Sequence, residues 1–87
     1  MSSSAPITVY TTNACPYCSR AKALLQSRGL EFEEINLGRD PETRIELSQR
    51  TGMMTFPQVL VGETVVGGYD DLAEADRSGR LAELVGA

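Results

Sequence analysis

The chain contains no histidine and only two cysteines, Cys15 and Cys18, in 87 residues. A structural zinc site normally needs four Cys or His ligands, so zinc is expected here only if two chains share the ion. A c-type haem site needs a histidine directly after the second cysteine, and Ser19 stands there instead. A purely structural disulfide between these cysteines would close a very short loop and stabilise the fold little. Two interpretations of the pair remain: a redox-active dithiol, or two buried and inert thiols.

Basic residues and long apolar runs are also scarce. Eight Lys and Arg residues against 12 Asp and Glu residues give a net charge of −4, which argues against a nucleic-acid-binding surface and a polybasic membrane patch. No apolar stretch is long enough to cross a bilayer, and residues 1–6 have neither the basic nor the apolar region of a signal peptide. We therefore expect one soluble cytoplasmic domain, with residues 1–6 as a disordered lead and residues 7–87 as the folded domain.

The sequence Cys-Pro-Tyr-Cys at residues 15–18 lies between an apolar run, residues 7–10, and a helical pattern that includes Ala21. A Cys-x-x-Cys pair at a strand-to-helix junction indicates thiol redox chemistry. Amides in the first turn of a helix have no intrahelical partner, so they point at the first sulfur and favour its thiolate. The thiolate is the nucleophile of thiol–disulfide exchange, and a second thiol one turn away can resolve the mixed disulfide that forms. The pattern therefore favours the redox interpretation.

Hydrophobic periodicity and turn residues predict an α/β domain of four strands and three helical regions in the order βαβαββα. The strands are expected at residues 7–10, 30–37, 58–61 and 64–66. The helical regions are expected at residues 16–28, 40–52 and from 70 onward, the last interrupted at Ser78 and Gly79. The buried face of the first helix is expected to comprise Tyr17, Ala21, Leu24 and Leu25. Because a helix separates the first two strands, we expect them to be parallel.

Three segments of the chain, in this order, resemble the glutaredoxins of the thioredoxin-like fold. They are Cys15-Pro16-Tyr17-Cys18, Thr55-Phe56-Pro57 and Gly67-Gly68-Tyr69-Asp70-Asp71-Leu72. The resemblance implies a four-stranded mixed sheet flanked by helices. It also implies a dithiol enzyme that uses glutathione as co-substrate, without a tightly bound cofactor or metal, to reduce protein disulfides and glutathione mixed disulfides. The expected state is a monomer acting on disulfide-bonded or glutathionylated proteins, with no nucleic-acid or membrane partner.

The resemblance further implies a glutathione site beside catalytic Cys15 and Cys18. Pro57 would be cis and leave the backbone of Phe56 free to pair with glutathione as a short added strand. Amides at the start of the last helix would bind the γ-glutamyl carboxylate, and a neighbouring Asp side chain its ammonium group. The complete set of glutathione-binding residues implied in this way is Tyr17, Arg44, Phe56, Pro57, Gly68, Tyr69, Asp70 and Asp71.

Several of these residues also have a plainer interpretation from the sequence alone. Pro57 would be trans, as most X-Pro bonds are. Asp70 or Asp71 would only cap the last helix. Arg44 would be a solvated helix residue, and Tyr17 would pack in the core.

Two positions depart from the glutaredoxin pattern. Thr12 and Met54 stand where many members carry a basic residue. A buried charge-assisted contact contributes about 1.5–3 kcal/mol, so the loss of two such contacts predicts weaker glutathione binding. Phe56, Met53 and Met54 would instead make an apolar rim that favours protein disulfides with hydrophobic flanks. Two other functions stay open: an electron donor recycled by thioredoxin reductase, and a carrier of a [2Fe–2S] cluster held by Cys15 of two chains and two glutathiones.

Overall fold

The structure is a computed structural model and describes residues 5–86. The elements follow the predicted order, and the last helical region forms two helices separated at Gly79, in agreement with the predicted interruption at Ser78 and Gly79. The elements are β1 Ile7–Thr11, α1 Pro16–Ser27, β2 Glu33–Asn36, α2 Pro41–Thr51, β3 Gln58–Val61, β4 Thr64–Gly67, α3 Tyr69–Ser78 and α4 Arg80–Val85. The strands form one sheet in the order β2-β1-β3-β4, in which β1 is parallel to β2 and the other pairs are antiparallel. The predicted four-stranded mixed sheet is confirmed.

The core lies between one face of the sheet and the helices α1 and α3. Side chains of a strand alternate between the two faces, so Ile7 and Val9 of β1 point into this core. Leu25 of α1 and Leu72 of α3 are fully buried against them, and burying a leucine side chain contributes about 1.5–3 kcal/mol. This packing fixes the start of α1 and the start of α3 on the same side of the molecule.

Helix α1 begins and ends as its sequence predicts, but its buried face includes Cys18 in place of Tyr17. Gly29 follows the helix in the left-handed conformation, with φ of +69°, as expected for a glycine that ends a helix. The buried residues are Cys18, Ala21 and Leu25, whereas Tyr17 is 53% exposed. The prediction that Tyr17 is a core residue is wrong, because a stripe through Cys18 places Tyr17 about 100° around the helix from it.

Strand β2 is shorter than predicted. Leu30 belongs to the end of α1, because its N–H donates to the carbonyl of Leu25 while the N–H of Gly29 donates to that of Gln26. These two bonds form a Schellman motif, which satisfies the last helical carbonyls. The predicted strand at residues 30–37 therefore begins too early: β2 is Glu33–Asn36, and the Leu37 N–H adds one further backbone hydrogen bond, to the Thr11 carbonyl at 3.0 Å.

The two ends of the described chain lie close together. The Ala5 N–H donates to the Val85 carbonyl at 3.3 Å, and the Pro6 carbonyl accepts from the Gly62 N–H at 2.7 Å. Residues 1–4, most of the predicted lead, lie outside the described residues, so the boundary at residue 7 stays a prediction. Between residues 5 and 86, no helix is both long and apolar enough to span a membrane.

Candidate active site

The two cysteines meet at the start of α1. Cys15 is the N-cap residue, and Cys18 lies one turn further with its Cα 5.2 Å away, so that the two sulfurs are at disulfide distance. The Cys18 N–H donates to the Cys15 sulfur at 3.1 Å. Cys18 is only 3% exposed, whereas Cys15 is half-buried. The sulfur of Cys15 thus occupies the acceptor position that a Ser or Asp oxygen usually takes at a helix start.

A cavity of about 370 Å3, which we call the aromatic groove, lies beside the motif. Every predicted glutathione-binding residue except Arg44 lines it. The lining residues are Tyr17, Met53, Thr55, Phe56, Pro57, Gly68, Tyr69, Asp70 and Asp71. The structure therefore brings together residues from three separate segments of the sequence.

One wall of the aromatic groove is the bend that contains Phe56 and Pro57. The peptide bond between these residues is cis, which agrees with the expectation from the family resemblance. Neither the N–H nor the carbonyl of Phe56 pairs with the backbone of another described residue. Gly68 lies across from this bend, where a Cβ atom would come within 3.6 Å of the Pro57 carbonyl oxygen. The backbone of Phe56 is thus available to an extended ligand.

The opposite wall is the start of α3. Gly68 is its N-cap residue, and the Gly68 N–H donates to the Asp71 carboxylate at 3.2 Å. Asp71 therefore stabilises the helix start from within the first turn, while the exposed Asp70 forms no hydrogen bond to another described side chain. The amides of Tyr69 and Asp70 precede the first intrahelical bond, which runs from Leu72 to Gly68.

The absence of a side chain at Gly67 lets the Asp71 carboxylate lie close to the backbone at the start of α3. The φ of Gly67 is +125°, and a Cβ atom there would clash with the Asp71 carboxylate. Only glycine therefore fits this position.

Two arginines stack on aromatic side chains of the aromatic groove. The rings of Tyr17 and Tyr69 lie 6.1 Å apart, and the Arg20 guanidinium lies 5.2 Å from the Tyr17 ring centroid. The Arg44 guanidinium lies 5.3 Å from the Phe56 ring centroid. Both distances are within the range of cation–π attraction. Tyr17 is therefore a wall of the site rather than a core residue.

Arg44 does not line the aromatic groove itself. It stacks on Phe56 and donates hydrogen bonds to the Thr12 hydroxyl and the Gly38 carbonyl. Its Nε is buried and has no hydrogen-bond partner among the described residues. A role of Arg44 in ligand binding stays a prediction, since part of its hydrogen-bonding capacity is used within the protein.

A second cavity, of about 530 Å3, lies on the β2 side of Cys15, and we call it the polar groove. It is lined by Thr11, Thr12, Asn13, Ala14, Cys15, Pro16, Cys18, Ser19, Lys22, Glu34 and Asn36. Lys22 donates to both oxygens of Glu34 at 3.1 Å, and the buried Thr11 hydroxyl donates to the same carboxylate at 2.9 Å. The hydrogen bond from Thr11, followed by that from Lys22, lowers the pKa of Glu34. The charge of Lys22 is therefore already paired.

Residues 7–66 match the protein-family model described as Glutaredoxin. The chain belongs to the glutaredoxin family. A glutaredoxin of Pseudomonas aeruginosa is 50% identical over 82 residues, which cover 94% of this chain and 98% of the relative. Glutaredoxins are thiol–disulfide oxidoreductases that use glutathione, and the predicted family, fold and activity are confirmed.

Solved glutaredoxin structures agree with this assignment. That of Brucella melitensis is 46% identical with a TM-score of 0.83, over 95% of this glutaredoxin and 90% of that chain. A buckwheat glutaredoxin–glutathione complex is 32% identical with a TM-score of 0.84, over 93% of this chain and 76% of that one. Both likenesses extend over nearly the whole of this glutaredoxin.

Sequence reasoning did not identify two polar residues that support the site of this glutaredoxin. Gln58 was assigned only to a strand, yet its side chain is buried and bonds to the loop before Pro57. Thr51, at the end of α2, bonds to Gln58. The available signal was a glutamine that begins an otherwise apolar strand run, since a buried amide needs partners.

Proposed function

We propose that Cys15 is the attacking nucleophile of this glutaredoxin and that Cys18 is the resolving thiol. The observation that carries the assignment is the hydrogen bond from the Cys18 N–H to the Cys15 sulfur at the start of α1. An amide in this position stabilises a thiolate more than a thiol, so in the reduced protein we expect Cys15 to ionise below the ordinary cysteine range. The buried position of Cys18 suits a thiol that reacts only with its neighbour.

The proposed reaction follows thiol–disulfide exchange. The Cys15 thiolate attacks one sulfur of a substrate disulfide, a Cys15 mixed disulfide forms, and the other substrate sulfur leaves as a thiolate that takes a proton from solvent. Cys18 then loses its proton and attacks the Cys15 sulfur, which releases the second substrate thiolate and leaves the Cys15–Cys18 disulfide. Two glutathione molecules reduce this disulfide and become oxidised glutathione. With a glutathionylated protein, Cys15 alone suffices, because a second glutathione removes the glutathionyl group.

Glutathione is proposed to lie in the aromatic groove as an extended peptide. The unpaired backbone of Phe56 supports a short strand-like pairing, and the bend at Pro57 and Gly68 gives it room. The free amides of Tyr69 and Asp70 support binding of the γ-glutamyl carboxylate.

The ends of glutathione are proposed to contact charged and aromatic side chains around the same groove. The Asp70 carboxylate would bind the γ-glutamyl ammonium group. Asp71 would stabilise the start of α3 through its hydrogen bond from the Gly68 N–H. Tyr17 and Tyr69 would pack against the ligand, and Arg44 would supply a cation for the glycine carboxylate.

Protein partners are proposed to be disulfide-bonded or glutathionylated chains whose target cysteine has apolar neighbours. The support is the exposure of large apolar side chains beside the groove: Met54 is 81% exposed and Tyr17 is 53% exposed. We further propose that this glutaredoxin acts as a monomer in the cytoplasm, and that residues 7–87 form its working domain.

The test is a glutathione-coupled reduction assay on the wild type and two single variants. Cys15→Ser is expected to abolish all turnover, because no other nucleophilic sulfur is accessible. Cys18→Ser is expected to spare the removal of glutathione from a glutathionylated peptide while losing protein-disulfide reduction. Equal loss in both variants would contradict the assignment. Recycling by thioredoxin reductase but not by glutathione, or a brown cluster-containing protein after anaerobic reconstitution with iron and sulfide, would favour the two alternative functions.

A further inference from the structure

A buried amide side chain holds the loop that carries the glutathione-pairing backbone. Gln58 is 1% exposed, and its Nε2 donates to the carbonyls of Met53 at 3.2 Å and Thr55 at 3.0 Å. Its Oε1 is the nearer acceptor of the Thr51 hydroxyl, at 2.8 Å, while the Leu47 carbonyl lies 3.1 Å from the same hydroxyl. The Thr51 oxygen in turn accepts from the Met53 N–H at 3.1 Å. One side chain thus connects the end of α2, the loop and the start of β3.

The orientation of this amide is fixed by its partners. If the Gln58 oxygen and nitrogen were exchanged, the oxygen would face the Met53 and Thr55 carbonyls, which are acceptors only. In the observed orientation each polar atom of the amide has a suitable partner. A fully satisfied buried network of this kind holds its members in one arrangement.

Apart from these bonds, the loop is held by packing, which includes the buried Pro57 and the stacking of Arg44 on Phe56. Residues 53–57 make no backbone–backbone hydrogen bond with other described residues, and the pairing of β3 with β1 begins only at Gln58. Phe56 and Pro57 therefore owe their placement mainly to the side chain of Gln58 and to packing. Met54 is almost entirely exposed and contributes little to it.

We propose that Gln58 is a positioning residue for glutathione. It holds the Met53 and Thr55 carbonyls so that the Phe56 backbone, between Thr55 and Pro57, faces the aromatic groove in the geometry that a peptide ligand needs. Gln58 is buried and does not touch the ligand, so it acts through the loop. The inference rests on the proposed glutathione site and adds a residue that this site does not contain.

The test compares two rates that depend differently on the loop. The first is kcat/KM for a glutathionylated peptide, which requires the Phe56 backbone. The second is alkylation of Cys15 by iodoacetamide, which requires only an accessible thiolate. In Gln58→Leu, which keeps the volume and removes the amide, kcat/KM is expected to fall about tenfold, the equivalent of one well-formed hydrogen bond to the ligand. The alkylation rate is expected to stay at the wild-type value.

Three further variants keep the test decisive if Gln58→Leu does not fold. Thr51→Val removes the hydroxyl bound to Gln58 and is expected to lower kcat/KM about threefold. Thr51→Ser keeps a hydroxyl at this position and is expected to keep kcat/KM at the wild-type value. Val85→Ala is the control: it leaves a cavity beside the buried face of α4, and it is expected to lower the melting temperature without changing either rate.

The results separate the positioning role from a purely structural one. If Gln58→Leu or Thr51→Val lowers only the melting temperature, as Val85→Ala does, the positioning role is overturned. A parallel fall of both rates would also overturn it, since the damage would then lie at Cys15. If the wild type itself does not turn over the glutathionylated peptide, the proposed glutathione site fails and this inference fails with it.

Discussion

The aromatic groove and the polar groove both flank the Cys15–Cys18 motif, but they differ in which of their polar groups lack a hydrogen-bond partner. In the aromatic groove the Phe56 backbone, the first amides of α3 and the Asp70 carboxylate have no partner among the described residues. In the polar groove the charged side chains of Lys22 and Glu34 are paired with each other, and Thr11 also donates a hydrogen bond to Glu34. The polar groove is the larger of the two, about 530 Å3 against about 370 Å3.

We therefore expect the peptide ligand in the groove whose polar groups are unsatisfied rather than in the larger one. A ligand gains most where it pairs groups that the protein leaves open, and it gains little where it must displace an existing pair. In the polar groove, Glu34 of β2 instead connects to Lys22 of α1 through an ion pair and to Thr11 of β1 through a hydrogen bond. We therefore expect substitutions in the two grooves to have different consequences.

The largest difference is expected for one matched change in each groove. Asp70→Asn and Glu34→Gln each replace a carboxylate by an amide of the same size. Asp70→Asn should lower kcat/KM for a glutathionylated peptide about tenfold, because it removes a charge-assisted contact to the ligand ammonium. Glu34→Gln should change kcat/KM less than about twofold, since its partners are Lys22 and Thr11. Equal effects, or a larger effect of Glu34→Gln, would remove the distinction between the grooves.

A gain-of-charge variant sharpens the same comparison with a smaller effect. Met54→Lys places a cation beside the aromatic groove, where many glutaredoxins carry one. Because residue 54 is 81% exposed, the new contact should improve KM for glutathione only about two- to fivefold. Raising the salt concentration should abolish the gain, and Met54→Gln, which adds a polar but neutral side chain, should leave KM unchanged. A gain that persists at high salt or in Met54→Gln would show that charge is not its cause.

The smallest effect concerns the pH dependence of stability in the polar groove. Hydrogen bonds from Thr11 and Lys22 lower the pKa of Glu34 in the folded protein below its ordinary value of 4.5. The resulting stabilisation is present above that value and is lost as the pH falls through the lower folded pKa. Thermal unfolding should therefore show a slightly lower melting temperature for Glu34→Gln than for the wild type at pH 7. The gap should close on acidification below about 4.5, and a gap independent of pH would contradict this account of Glu34.

Local patterns in the sequence predicted the order of the elements and the position of the two cysteines at the start of α1. The Cys15-Pro16-Tyr17-Cys18 segment marked the start of α1, since proline and an N-cap residue act over a few positions. The aromatic-groove residues were found through their resemblance to a family, because no periodicity relates residue 17 to residues 57 and 69. Tyr17 was wrongly assigned to the core, because two overlapping stripes of α1 have similar hydrophobicity and only packing against α3 selects one.

Features that depend on contacts between distant residues could not be predicted. The short β2 follows from the Schellman motif at Leu30, which competes with the strand for the same backbone. The stacking of Arg44 on Phe56 and the bonds of Gln58 to the preceding loop require the tertiary structure. A polar residue in a strand pattern shows that partners are needed, but it does not show which partners.

The central claim is that amides at the start of α1 keep the Cys15 sulfur ionised near neutral pH. The most direct measurement is the pH dependence of Cys15 alkylation by iodoacetamide in reduced Cys18→Ser, where Cys15 is the one remaining thiol. The claim predicts a pKa well below the ordinary cysteine value of about 8.5. A Cys15 that keeps its proton beyond about pH 8 would contradict it.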